Sequence, residues 1–128
     1  MREMLFRGKQ EDSGEWVYGR LLADDVIVPK GQEFYTTHNI LDSALHAYTV
    51  LTETVGQYTN LVDKNGSKIF EGDILQVSYS DGNNIIEATG SVKFLNGCYI
   101  IDSTVFHNYR LEEFFSLEKI GNVYDKFY

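Results

Sequence analysis

The sequence predicts a mostly β fold of antiparallel strands, and three observations carry that expectation. Residues 86–94 alternate: Ile86, Ala88, Gly90, Val92 and Phe94 are apolar or small, while Glu87, Thr89, Ser91 and Lys93 are polar. A period of two belongs to a strand with one buried face. Asn96-Gly97 follows, and both residue types tolerate the positive φ of a type I′ hairpin turn. Nine Tyr and eight Phe stand against two Met, a bias toward rings that suit a pleated surface.

Taken in order, Met4-Leu5-Phe6 and Trp16-Val17-Tyr18 read as strands joined through the polar stretch 10–15. Val26-Ile27-Val28 ends at Pro29, which lacks the N–H that a ladder needs and so marks an edge or a strand end. Phe34–Thr37 and Tyr48–Tyr58 are β-branched and aromatic, hence strands. Between them Asn39 is placed to cap a short helix over Ile40–His46, where Ile40, Leu41, Ala44 and Leu45 follow helical spacing. Asp63-Lys64-Asn65-Gly66 is a polar turn expected to be of the I′ kind.

Between Ile74 and Asp102 the register can be derived. A two-residue loop at Asn96-Gly97 pairs Leu95 with Cys98, Phe94 with Tyr99 and Val92 with Ile101. On the other side, the turn Asp81-Gly82-Asn83-Asn84 pairs Ser80 with Ile85, Tyr79 with Ile86, Val77 with Ala88 and Leu75 with Gly90. Directly opposed residues share a face, so both turns send one apolar parity inward. Val77, Ile86, Val92, Phe94 and Ile101 are the expected core of a three-stranded meander. Further on, Asn108 is placed to cap a helix over Tyr109–Leu117, with Leu111, Phe114 and Phe115 on one face and Glu112 and Glu113 near its positive end. Lys119–Tyr124 is the closing strand.

The 128 residues suit one domain, and 43% apolar content offers enough burial to offset the entropy of ordering. Net charge is −8, and each half of the chain carries −4, so there is no charged tail. An evenly acidic surface repels nucleic acid and anionic lipid. Cys98 stands alone, which excludes an internal disulfide and a multi-cysteine metal site. Met1-Arg2-Glu3-Met4 does not open a signal peptide, and no apolar run nears the ~18 residues of a membrane span. A soluble, intracellular protein without membrane contact is expected.

Thr54-Val55-Gly56-Gln57-Tyr58-Thr59-Asn60-Leu61 precedes Asp63-Lys64-Asn65-Gly66 and then Ile69-Phe70-Glu71-Gly72-Asp73-Ile74. The run resembles the signature of the YopX family of phage and prophage proteins, whose usual form reads T-V-G-Q-Y-T-G-L, D-K-N-G and I-Y-E-G-D-I. Asn60 stands where that form has Gly, and Phe70 where it has Tyr. Asn also tolerates left-handed backbone, and Phe keeps the ring. Phe6-Arg7, Trp16-Val17-Tyr18-Gly19 and Ile120-Gly121-Asn122-Val123-Tyr124 match the flanks, while residues 24–52 match least. The resemblance implies a mostly β, antiparallel SH3-like small barrel with additional N-terminal strands. To these the spacing adds one or two short helices. It further implies a single domain over residues 1–128, its barrel portion at about 54–128 and its β-rich portion at about 1–53, assembled as a homo-oligomer. It brings no catalytic or cofactor residue with it.

Physical chemistry gives the signature a folding role: Gly72 permits a tight approach, Asp73 bonds nearby backbone donors, and Leu75 and Val77 turn inward. His38, His46, His107 and Cys98 lack metal-ligand spacing, and no elbow or loop motif supports nucleophilic catalysis. Asp24-Asp25, Glu112-Glu113 and Glu71/Asp73 read as solvated charge rather than a proton-sharing pair. No Gly-rich turn cradles phosphate. No metal or other cofactor is expected.

The expected function is that of a non-enzymatic phage or prophage accessory protein in the cytoplasm of a bacterial host cell. It acts by self-association and by binding an unidentified phage or host protein. Trp16, Phe34, Tyr35, Tyr109 and Tyr128 are the interface candidates, since Tyr and Trp are enriched where subunits meet. The alternative is a nucleic-acid-associated barrel module using Arg7, Lys9 and Arg20 beside Phe6, Trp16 and Tyr18, a patch able to stack bases but disfavoured by the net charge.

Overall fold

The computed structural model describes residues 4–22, 26–30 and 33–125, with backbone alone over residues 26–30 and 33–36. Among them are twelve strands in two antiparallel sheets, and no helix beyond two 3-10 turns at Thr52–Thr54 and Leu111–Glu113. The chain divides into two compact units, residues 1–58 and 59–128.

The first unit holds β1 (Phe6–Lys9), β2 (Trp16–Leu21), β3 (Val26–Lys30), β4 (Glu33–Leu41) and β5 (Ala47–Leu51). β1 and β2 form a hairpin with Arg7 opposite Tyr18 and Lys9 opposite Trp16. β4 pairs with β2, β3 and β5. Pro29 lies in β3 at a sheet edge, where its missing N–H costs no ladder bond. The expected helix over Ile40–His46 does not form. Asn39, Ile40 and Leu41 finish β4, and Asp42 opens a tight turn into β5. The Asp42 carboxylate accepts N–H bonds from Ala44 and His46, both at 2.9 Å, so the loop follows its side-chain acceptor rather than helix propensity. Ile40 and Val50 are fully buried in this unit.

The strand expected over Tyr48–Tyr58 is interrupted by the first 3-10 turn, after which β6 (Gly56–Val62) begins. Gly56 and Gln57 pair with β1, and Thr54 Oγ1 accepts a bond from Lys9 N–H at 2.9 Å. Asn60 has φ +68°, the left-handed conformation for which glycine is the easier residue.

The second unit contains the end of β6, then β7 (Lys68–Phe70), β8 (Asp73–Ser80), β9 (Ile85–Leu95), β10 (Cys98–Asp102), β11 (His107–Arg110) and β12 (Ser116–Asn122). Its five-stranded sheet has the order β11-β10-β9-β8-β12. Every pair derived from the two hairpin turns is present, from Ser80 opposite Ile85 to Leu95 opposite Cys98. Asn96 and Gly97 have φ +51° and +82°, as a type I′ turn requires. The Asp63–Gly66 turn is different. Gly66 alone is left-handed and its N–H reaches the Asp63 carbonyl, so a type I turn is followed by a glycine rather than an I′ pair.

The core of this unit contains Leu75, Val77, Val92 and Ile101 from the meander. Ile86 and Phe94 share that inward parity yet are exposed, because β9 is eleven residues long and both lie near its ends, beyond the packed centre. The second expected helix, over Tyr109–Leu117, is replaced by the end of β11, the second 3-10 turn and the start of β12. Leu111 and Phe114 still reach the core, but Phe115 points outward because its N–H has already joined β8 at the Ser78 carbonyl. Phe106, Tyr79, Tyr109 and Phe114 make an aromatic cluster with centroids 5.0–6.3 Å apart.

The sheet is open, with β11 and β12 at its edges, and no closed barrel exists among the described residues. The reason is local. The outer edge of β12 is occupied by the β6–β7 turn: Lys64 N–H donates to the Leu117 carbonyl, and Lys119 N–H to Asp63 Oδ2, both at 2.9 Å.

Two substitutions test this backbone reading in urea denaturation. A Cβ on Gly90 would lie 2.7 Å from the Asp102 carbonyl oxygen, so Gly90→Ala is expected to cost about 1–3 kcal/mol. Leu45 is exposed at φ +65°, so Leu45→Gly is expected to stabilise by about 1 kcal/mol.

Candidate functional site

The β1–β2 register gathers the proposed basic–aromatic residues. Arg7, Lys9, Trp16 and Tyr18 are directly paired, and Arg20 continues the same parity, so all five belong to one face; Phe6, opposite Gly19, belongs to the other. The Arg7 guanidinium lies 4.5 Å from the Trp16 ring centroid and the Lys9 ammonium 5.8 Å. Arg7 is only 3% exposed, so its charge is covered. Trp16 is half-buried, while Tyr18 and Arg20 are exposed. The patch is therefore smaller than the sequence implied: its strongest cation stacks on an indole instead of facing a ligand.

The other interface candidates do not converge with it. Tyr109 packs into the aromatic cluster of the second unit. Phe34 and Tyr35 are in β4, but their side chains lie outside the described residues, as do Tyr128 and the Asp24-Asp25 pair. His38 Nδ1 meets Thr52 Oγ1 at 2.9 Å, His46 faces Asp42 at 3.7 Å, His107 is exposed on β11, and Cys98 sits opposite Leu95. Among the described residues no three His, Cys, Asp or Glu side chains cluster as metal ligands. Glu113 accepts the Arg110 N–H at 2.8 Å.

Sequence reasoning missed a hub that the structure builds around Lys119. Asp73, with no exposed surface, accepts the Phe70 N–H at 2.7 Å and pairs with Lys119 Nζ at 3.1 Å. Lys119 also donates to the Lys68 carbonyl, and its ammonium lies 5.8 Å from the Phe70 ring centroid. Asp63 completes the hub. One of its oxygens accepts the Asn65 and Ser67 N–H groups at 2.9 Å, the other the Lys119 N–H. A single lysine thus ties β7, the start of β8 and the β6–β7 turn to the last strand. The signal in the sequence was a pair of aspartates separated by ten residues, with no hint of the distant cation.

The family model described as YopX protein matches residues 5–126. The chain belongs to the YopX family. Neither a curated protein nor a solved structure matches it. The YopX signature seen in the sequence is thereby given a physical meaning, since both of its turn aspartates converge on Lys119. Among the described residues no helix is long and apolar enough to cross a membrane.

At one tip of the meander, apolar surface is left uncovered. Phe94 and Leu95 are 54% and 43% exposed, and the Phe94 ring stacks edge-on against Tyr99 with centroids 5.0 Å apart.

Partial burial alone would push the Asp63 carboxyl up, but the three N–H bonds and the Lys119 charge outweigh it and hold the group below its ordinary value. Asp42 and Asp81 are lowered too, chiefly by the His46 and Asn84 N–H groups respectively. A carboxyl depressed in the folded state stabilises fully above its unfolded value, near pH 4. That contribution fades as pH falls through the folded value. Acid denaturation below about pH 4 is therefore expected to be shallower in Asp63→Asn, whose cost at neutral pH is about 1–3 kcal/mol. Lys119→Met strands Asp73 without its cation and is expected to cost about 3–5 kcal/mol in the same measurement.

Proposed function

We propose that this member of the YopX family is a non-enzymatic accessory protein of a phage or prophage, acting in the bacterial cytoplasm by self-association and protein binding. The observation supporting this reading is the exposed Phe94-Leu95 tip, supported from beneath by Tyr99. Large apolar side chains held on a rigid hairpin lose little entropy when a second surface covers them, which favours a docking role. The second unit is further read as an SH3-like small barrel left open along one seam. Four consecutive strands form a meander, and the fifth returns beside the first after a 3-10 turn, the strand order of that small-barrel class.

A second reading, nucleic-acid binding, is favoured by one observation. Lys9, Trp16, Tyr18 and Arg20 share a face, the combination of cation and ring on which unpaired bases stack. The net charge of −8 opposes it.

Light scattering across a concentration series separates the two. The protein is expected to associate, and the double variant Phe94→Ser/Leu95→Ser to shift toward monomer with its unfolding midpoint nearly unchanged. A wild-type chain that stays monomeric and retains a single-stranded oligonucleotide with steep salt dependence would overturn the first reading in favour of the second.

A further inference from the structure

The second sheet buries one face and presents the other to solvent. Leu75, Val77 and Val92 point into the core, so the intervening residues of the same strands point out. Across β12, β8 and β9, Ser116, Ser78 and Glu87 lie side by side in one row, with Glu118 and Gln76 in the next. The central positions carry short side chains, whereas Phe115 and Ile85 stand 61% and 66% exposed at the margin. Short residues flanked by tall ones leave a hollow of about 310 Å³ on this face.

The charge in this hollow is unbalanced. Its lining carries Glu87, Glu118 and a single cation, Lys64. The Lys64 ammonium lies 3.5 Å from a Glu118 oxygen, and Glu87 makes no ion pair among the described residues. One carboxylate is left over, beside hydroxyl and amide groups that accept and donate hydrogen bonds, with apolar surface on the flanks. An anionic or phosphate-bearing ligand meets like charge here. A purely apolar one would strip water from Gln76 and Glu87 without replacing its hydrogen bonds.

We propose that this hollow docks an extended segment of a partner protein in which an arginine is flanked by aliphatic residues. The guanidinium pairs with Glu87 and lies near the Phe115 ring, while an aliphatic neighbour covers Ile85. Arginine suits the place better than lysine because its planar fork bonds a carboxylate with two parallel N–H groups and stacks on a ring. The inference does not depend on the Phe94-Leu95 tip, which contributes no residue to the hollow.

The test is an NMR titration of the whole labelled protein with the blocked peptide Ser-Leu-Arg-Leu-Ser, and with the same peptide carrying Glu in place of Arg. The arginine peptide is expected to shift the amides of Ser78, Glu87 and Ser116, more weakly as salt rises; the glutamate peptide is expected to leave them in place. Glu87→Gln, on the exposed face, keeps the spectrum of the folded protein and binds about fivefold more weakly. Phe115→Ser is expected to weaken binding as well. Equal shifts from both peptides, shifts confined to other residues, or unchanged affinity in Glu87→Gln would overturn the proposal. So would movement of the same amides with protein concentration alone, which would make a second copy the occupant.

Discussion

An ion pair with a fully buried carboxylate anchors the second unit. Asp73 has no access to water, and Lys119 Nζ lies 3.1 Å from its carboxylate. Taking a carboxylate wholly, and its lysine largely, out of solvent is costly, and the arrangement survives because each has further partners. Asp73 holds the Phe70 N–H, while Lys119 reaches the Lys68 carbonyl and gives its own N–H to Asp63. The stabilisation gained is modest compared with the cost of breaking one member. What the pair supplies is register: β12 sits beside β8 in the one alignment that brings lysine to aspartate.

Different parts of this fold were legible to different degrees, for physical reasons. The meander was readable pair by pair because two compact turns and a strict alternation over-determine the register. The two absent helices were misread for a shared reason. Residues 40–46 and 109–117 each show apolar residues at helical spacing behind an asparagine cap, but over little more than two turns, and strand pairing at both ends of each segment overruled that short pattern. Phe94 and Ile86 have inward parity, but parity does not say how far along a strand the core extends.

The candidate surfaces were legible only in part. Hairpin register alone gathers Arg7, Lys9, Trp16, Tyr18 and Arg20, as a reader of the sequence would expect. It does not reveal that Arg7 is covered, since burial depends on neighbours distant in the chain. The Lys119 hub was out of reach for the same reason: 56 residues separate Asp63 from the strand whose edge it caps. Carboxylates that look solvated in a turn prove to be backbone acceptors, a device repeated at Asp42, Asp63 and Asp81.

The turn seated along β12 has one more effect. A strand edge with free N–H and C=O groups invites another chain to extend the sheet, the route to fibrillar aggregates. Lys64 and Asp63 occupy two such groups on β12 and deny that template to strangers. The opposite edge is the four-residue β11, which contains left-handed Asn108 and ends in charged Arg110, a poor platform for templating. Although it has not closed into a barrel, the sheet thus carries a plug at one border and a stub at the other, and neither border offers a long open template for an endless ladder.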